Sequence, residues 1–172
     1  MGLVGLGKLG RAMVPIARAF ELDVMAWSPN LTQDRADEVG VQAVSKEDLF
    51  GRADIVSLHL VLGDTTRGIV GAREIGMMKL GAMLINTSRG PLVDEAALLT
   101  ALESGRIRAG IDVFEIEPLP ADSPWRHAPN TVLTPHLGFV TRAAYEAFYR
   151  DTVEDIVAWR AGRPVRVLAS PS

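Results

Sequence analysis

The chain has 172 residues, 48% of them hydrophobic and 23% charged, with a formal net charge of −3 and no cysteine. A core of this length buries ~70% of the surface an unfolded chain exposes, so a single folded domain is expected. Disulfides, iron–sulfur clusters and thiolate metal sites are excluded, and the acidic balance argues against a general nucleic-acid or polybasic membrane binder.

In chain order, short apolar runs alternate with longer amphipathic ones. Strands are expected at Leu3–Gly5, Val24–Trp27, Ile55–Leu58, Met83–Asn86, Gly110–Val113 and Thr131–Leu133. Their continuous apolar character suits burial on both faces, hence a parallel sheet. Leu9–Phe20 places Leu9, Met13, Ile16, Ala17 and Phe20 at helical spacing, with Pro15 predicting a kink or a late start. Ser45 begins a cap-like Ser-Lys-Glu-Asp and a short helix to Phe50; Asp94 precedes a helix over Glu95–Glu103 that stops at Gly105. Residues 117–130, with prolines at 118, 120, 124 and 129, form a loop. Thr141 opens a long helix to about Ala161, and the tail from Gly162 is expected to be loosely held. Alternation of this kind means βαβ units in an α/β, doubly wound, Rossmann-like domain: a mostly parallel sheet with helices on both faces. The longest apolar stretch, Ile55 to Leu62, is far short of the ~20 residues of a membrane span. The first twenty residues lack a basic start, so a cytoplasmic location is expected, without membrane or nucleic-acid partners and without a metal.

Gly5-Leu6-Gly7-Lys8-Leu9-Gly10 is Gly-x-Gly-x-x-Gly between an expected strand and an expected helix, the context in which this motif binds a pyrophosphate. The first glycine permits the turn, the second lets the backbone approach the phosphates and the third allows close helix–strand packing. Such turns also occur for packing alone. An acidic residue that reads the ribose belongs roughly 20 residues on, but Ser28 follows Trp27 at the end of the second strand. Ser28 can hydrogen-bond but cannot repel a 2′-phosphate, so NADP stands beside NAD; Ser28 also starts a Ser28-Pro29-Asn30 turn.

Three further segments fall just beyond strand ends: Asn86-Thr87-Ser88-Arg89-Gly90, Asp112-Val113-Phe114-Glu115-Ile116-Glu117-Pro118 and Thr134-Pro135-His136-Leu137-Gly138. Ligands bind at strand carboxyl ends in open parallel sheets. An imidazole can exchange a proton with a hydroxyl or carbonyl, a carboxylate beside it stabilises the imidazolium, and an arginine can hold a substrate carboxylate with two hydrogen bonds.

The ordered set GLGKLG, NTSRGPLVDEAAL, GIDVFEIEP and TPHLG, running over about residues 2 to 161, strongly resembles the D-2-hydroxyacid dehydrogenases. The resemblance implies substrate binding at Arg89, an acid/base at His136 and its carboxylate partner at Glu117. It implies a dinucleotide, NAD or NADP, held by Gly5, Gly7, Lys8, Leu9 and Gly10, by Trp27, Ser28, Pro29 and Asn30, and by Thr87, Ser88, Arg89, Asp112, His136 and Gly138. His59-Leu60-Val61 matches the segment covering the cofactor, with Val61 where proline is usual and Thr66 beyond it. His59 is then a cofactor-wall residue, or simply the end of a buried strand. The implied reaction is hydride transfer between nicotinamide and a 2-hydroxy or 2-keto acid, in a homodimer. Residues 1–161 are expected to form the dinucleotide-binding domain, and 162–172 a tail that in the family returns toward the substrate domain. Family enzymes are about twice this long, so the N-terminal half of the substrate domain is expected to be missing, with weak or no turnover by this chain alone. Apolar surface around Trp125, Tyr145 and Trp159 is expected to be exposed. The alternative from another class is a non-catalytic NAD(P)(H)-binding or sensing module, or a subunit of a split protein.

Overall fold

The computed structural model describes residues 1–168. Seven strands form one sheet: β1 (Gly2–Val4), β2 (Met25–Trp27), β3 (Gln42–Ala43), β4 (Ile55–Leu58), β5 (Met83–Asn86), β6 (Arg108–Ile111) and β7 (Thr131–Leu133). Their order is β3-β2-β1-β4-β5-β6-β7, and every pairing is parallel. The helices are α1 (Lys8–Ala19), α2 (Gln33–Asp37), α3 (Lys46–Arg52), α4 (Ala72–Met77), α5 (Glu95–Glu103) and α6 (Arg142–Arg160).

Strand alternation distributes the side chains. Register aligns Val4, Leu58, Asn86, Ile111 and Leu133 in one row. On that face the core gathers Leu49 and Phe50 of α3, Ile75 of α4 and Leu98 and Leu102 of α5. The opposite row is Ala26, Leu3, Ser57, Ile85, Gly110 and Val132; there Leu3 and Ala26 pack with Val14 of α1 and Ala36 of α2. Helices therefore cover both faces. Burial on the second face fades along the row, from 0% exposure at Leu3 to 71% at Val132.

Three short elements carry no periodicity and were not expected: β3, α2 and α4. Thr32 caps α2 by accepting from the Arg35 N–H at 3.4 Å; in α4, Glu74 reaches back to the Gly71 N–H at 2.9 Å. α1 starts at Lys8 rather than late, and Pro15 lies on its exposed side, where a carbonyl deprived of its helical donor can be hydrated. Its buried stripe is Gly10, Val14 and Ala17. Leu9, Ile16 and Phe20, expected to face the core, are exposed. The small residues let the helix lie close to the sheet, and the large ones fall one stripe away. Trp125, also expected at the surface, is buried edge-on against Phe114 at 5.8 Å.

The chain divides into two compact units, Met1–His136 and Leu137–Ser172. The second is built on α6, capped by Thr141, which accepts from the Ala144 N–H at 3.1 Å. None of the side chains of α6 is buried. Within the tail, Arg166 pairs with Glu154 at 2.6 Å and Asp155 at 3.0 Å of α6. Residues 169–172 of the expected returning tail lie outside the described residues. Among the described residues, no helix is long and apolar enough to cross a membrane.

Candidate active site

The strand order reverses between β1 and β4: the chain after β1 steps outward to β2 and β3, and resumes on the other side at β4. In open α/β sheets the crevice outside the carboxyl ends at such a switch point is where ligands bind. Val4 and Leu58 are register partners, so the loops that follow them, beginning at Gly5 and His59, leave the sheet side by side. A cleft of about 610 Å³ opens there, lined by Gly7, Lys8, Leu9, His59, Leu60, Val61, Leu62, Thr87, Ser88 and Arg89.

The three glycines of the first loop have separate physical reasons. Gly5 adopts φ +106°, a region that side chains rarely occupy; a Cβ there would lie 2.7 Å from the His59 carbonyl oxygen. A Cβ on Gly10 would overlap the Gly5 carbonyl, whereas one on Gly7 would meet nothing within 4 Å. Gly7 caps α1 without a side chain, and the first helical bond of the turn is Arg11 N–H to the Gly7 carbonyl at 2.9 Å. The N–H groups of Lys8, Leu9 and Gly10 thus precede the helical ladder, and Lys8 and Leu9 line the cleft, a cradle suited to a pyrophosphate.

The segment after β5 forms the next wall. Asn86, 1% exposed, accepts from the Ser88 N–H at 3.0 Å and donates to the Arg89 carbonyl at 2.9 Å. The Ser88 hydroxyl donates to the Leu58 carbonyl at 2.8 Å, tying this loop to the end of β4. A Cβ on Gly90 would overlap the Phe114 carbonyl, so the loops after β5 and β6 cross in backbone contact. This brings the Arg89 charge close enough to act on Glu117.

Beyond β6 and β7, His136 Nδ1 and Glu117 Oε2 are 2.7 Å apart, each side chain about one-third exposed. The other carboxylate oxygen, Oε1, accepts the Phe114 N–H at 2.8 Å. Burial alone would raise the Glu117 pKa. The hydrogen bonds from His136 and Phe114, with the charges of His136 and Arg89, outweigh it and hold the carboxyl below its usual value. His136 sits at φ +57°, and its N–H donates to the Asp112 carbonyl at 2.8 Å. Asp112 is buried and accepts the Thr134 hydroxyl. A left-handed non-glycine residue costs on the order of 1 kcal/mol and persists where its surroundings fix it. A second hollow, of about 310 Å³, is lined by Phe114, Glu117, Pro118, Leu119, Pro135 and His136.

Of the other predicted site residues, Trp27, Ser28, Pro29, Asn30 and Thr66 do not themselves line the cleft. Trp27 lies under Lys46, whose Nζ is 5.4 Å from the ring centroid. Ser28 to Leu31 forms the expected turn, closed by Leu31 N–H to the Ser28 carbonyl at 3.1 Å, with Pro29 and Asn30 exposed. Thr66 uses its hydroxyl to donate to the Val61 carbonyl at 2.7 Å and to accept from the Gly63 N–H at 2.8 Å, so it shapes the loop that carries Val61. Gly138 belongs to the second unit. His59 both extends the β4 edge, donating its N–H to the Val4 carbonyl at 2.8 Å, and lines the cleft. Ser57 Oγ is 3.0 Å from His59 Nε2, and burial pushes the His59 imidazole below its ordinary pKa. Leu62 and the supporting groups Asn86, Ser57 and Thr134 were not singled out in the sequence; a polar residue ending an apolar strand, as Asn86 does, is the signal that marks such a support.

These features define an α/β dinucleotide-binding domain that carries an imidazole–carboxylate pair at the same sheet edge. More particularly, residues 1–138 match the family model described as "D-isomer specific 2-hydroxyacid dehydrogenase, NAD binding domain", and the chain belongs to that family. It is 39% identical over 166 residues to D-3-phosphoglycerate dehydrogenase of Bacillus subtilis (strain 168), covering 96% of this chain and 31% of the relative. Among solved structures it resembles a phosphoglycerate oxidoreductase from Vibrio cholerae o395 (TM-score 0.88, 35% identity, 94% of this chain and 52% of that one). It also resembles the D-lactate dehydrogenase of Escherichia coli (TM-score 0.83, 31% identity, 96% and 51%). The chain thus spans about a third of the length of that curated relative and about half of those solved chains.

Proposed function

We propose that this chain provides the NAD(P)-binding part and the acid/base machinery of a dehydrogenase that interconverts a 2-hydroxy acid and a 2-keto acid. The 2.7 Å contact between His136 Nδ1 and Glu117 Oε2 carries the reading. Nδ1 faces the carboxylate and Nε2 is assigned the proton exchange with the substrate oxygen, while the ionised carboxylate holds the ring and balances the imidazolium. Arg89, on the wall nearest Glu117, binds the substrate carboxylate. The nicotinamide, when bound, supplies the hydride chemistry. A pure sensing module needs none of these three side chains, which favours the enzymatic reading. The relatives named D-3-phosphoglycerate dehydrogenase support a small 2-hydroxy acid as substrate class. The exposed apolar side chains of α6, Tyr149, Val157 and Trp159, support pairing of two copies, which light scattering checks.

Calorimetric titration with NADH and NADPH is expected to show binding; two flat traces would remove the cofactor reading. With glyoxylate or hydroxypyruvate, the 172-residue chain is expected to oxidise NAD(P)H slowly at best, because the relatives carry about two thirds of their length outside the matched region. His136→Ala should lower any such rate by ~100-fold or more; an unchanged rate would remove His136 from the acid/base role.

A further inference from the structure

We propose that the turn after β2 is a 2′-phosphate subsite: the Ser28 hydroxyl and the Arg35 guanidinium receive the phosphate that distinguishes NADP(H) from NAD(H). The chain should then bind NADPH at least as tightly as NADH. This rests on the dinucleotide reading above and adds a cofactor preference to it.

The Trp27 carbonyl accepts the Gly5 N–H at 2.8 Å, so the residue after Trp27 emerges beside the glycine loop. That is where an acidic side chain meets the ribose in NAD-specific folds of this kind, or a nearby arginine meets the 2′-phosphate in NADP-specific ones. The run Trp27-Ser28-Pro29-Asn30-Leu31-Thr32 contains no carboxylate. The Ser28 backbone is committed to its turn, through the Leu31 N–H, but its half-buried hydroxyl has no hydrogen-bond partner among the described residues.

Arg35 comes from the next element and folds back over this turn. Its Nη1 lies 3.4 Å from the Asn30 carbonyl oxygen, while its N–H is capped by Thr32. The guanidinium is exposed and has no carboxylate partner among the described residues. Among its neighbours, Arg11 pairs with Glu38 at 2.6 Å, and Asp37 accepts from the neutral Gln33 amide at 2.6 Å. Asp34, in the first turn of α2, is the nearby acidic group without a side-chain partner among the described residues. One weak bond to a carbonyl leaves most of the guanidinium donors of Arg35 available, and a planar, permanently charged fork matches phosphate geometry. A missing carboxylate removes the repulsion, a hydroxyl supplies a donor and an unpaired arginine supplies the charge.

Fluorescence or calorimetric titration of the 172-residue chain with NADPH, NADH, 2′,5′-ADP and ADP tests this without turnover. The wild type is expected to bind NADPH at least as tightly as NADH, and 2′,5′-ADP more tightly than ADP. Arg35→Ala should weaken NADPH and 2′,5′-ADP about tenfold, the loss of one charge-assisted contact, with NADH changed less than about twofold. Arg35→Lys should recover part of the loss, and Ser28→Asp should reverse the preference toward NADH. Equal effects of Arg35→Ala on both nucleotides, or a wild-type preference for NADH of about tenfold or more, would overturn the subsite while leaving the dinucleotide reading intact. If neither nucleotide binds, both fall. Should Arg35→Ala fail to fold, the wild-type comparison of 2′,5′-ADP with ADP decides alone.

Discussion

Replacing Asn86 with leucine, a side chain of similar size, tests whether one buried amide builds the wall that presents Arg89. In the wild type the amide satisfies the Ser88 N–H at 3.0 Å and the Arg89 carbonyl at 2.9 Å. Each such bond contributes about 0.5–1.5 kcal/mol net, and more where the abandoned group stays dry. Ser88 is half-buried and Arg89 exposed, so water can reach the freed groups in part, and the two bonds together give about 2 kcal/mol. For a chain of this size that corresponds to a fall in melting temperature of roughly 4–8 °C. Urea unfolding followed by tryptophan fluorescence measures the stability, and NADH titration measures the site. Affinity should fall with stability, because the Thr87–Arg89 wall loses its anchor while the glycine loop is untouched. Asn86→Asp keeps an acceptor for the Ser88 N–H but turns a carboxylate oxygen toward the Arg89 carbonyl, so it should be no better than leucine. A cost below about 0.5 kcal/mol, within the range of an ordinary surface substitution, together with unchanged nucleotide affinity, would refute the anchoring role.

With Glu117 ionised, its oxygens only accept, so in neutral His136 the proton is expected on Nδ1; histidine ¹⁵N NMR of the neutral ring should show that tautomer, and Glu117→Gln should shift the balance toward Nε2–H. The lowered Glu117 pKa means that its contribution to stability is complete above the ordinary carboxyl pKa and is lost as pH falls through the folded value; acid unfolding of Glu117→Gln should begin from a lower baseline and slope less in that window. His59 has the same sign from the other direction. Its imidazole is depressed below 6.5 by burial, so its share of stability is present above that pH and drains away below it, and His59→Asn should flatten the slope of unfolding free energy as pH falls below about 6.5. Gly90→Ala pushes a methyl into the Phe114 carbonyl and should cost about 1–3 kcal/mol by overpacking; a melting temperature equal to wild type would show that the two loops can separate freely.

Long apolar runs and helix-terminal signals are legible in the sequence. The six expected strands are present within one to two residues, because strands buried on both faces of a parallel sheet need no alternation to be recognised. β3 and α2 were not legible, since elements of two and five residues carry no period. The buried face of α1 differs from the stripe its large apolar residues predict, because the sheet selects for small side chains. Against a sheet, Gly10, Val14 and Ala17 pack where Leu9 and Phe20 cannot approach. At the site, the candidate side chains follow from their motifs, but their supports do not. The Asn86–Ser88, Asn86–Arg89 and Glu117–Phe114 bonds join a side chain to a backbone group two or three residues away. Such bonds exist only once the loop has its conformation. The contact at Gly90 is between backbones, with no side chain to announce it.

The sheet edge also explains why two histidines at strand ends have different chemistry. From β1 through β4, β5 and β6 to β7 the site residues Gly5, His59, Arg89, Glu117 and His136 succeed one another in strand order. At ~4.8 Å per strand this edge is about 19 Å long. A ligand anchored by its phosphates at β1 and extended along it brings its far end to β6 and β7. His59 lies at the central switch point, where sheet and loops remove it from water and favour the neutral ring. His136 lies toward the open end of the sheet, where solvent and the Glu117 carboxylate can both attend to an imidazolium. Position along the same edge therefore gives the two imidazoles different surroundings, one withdrawn from water and the other part-exposed beside a carboxylate.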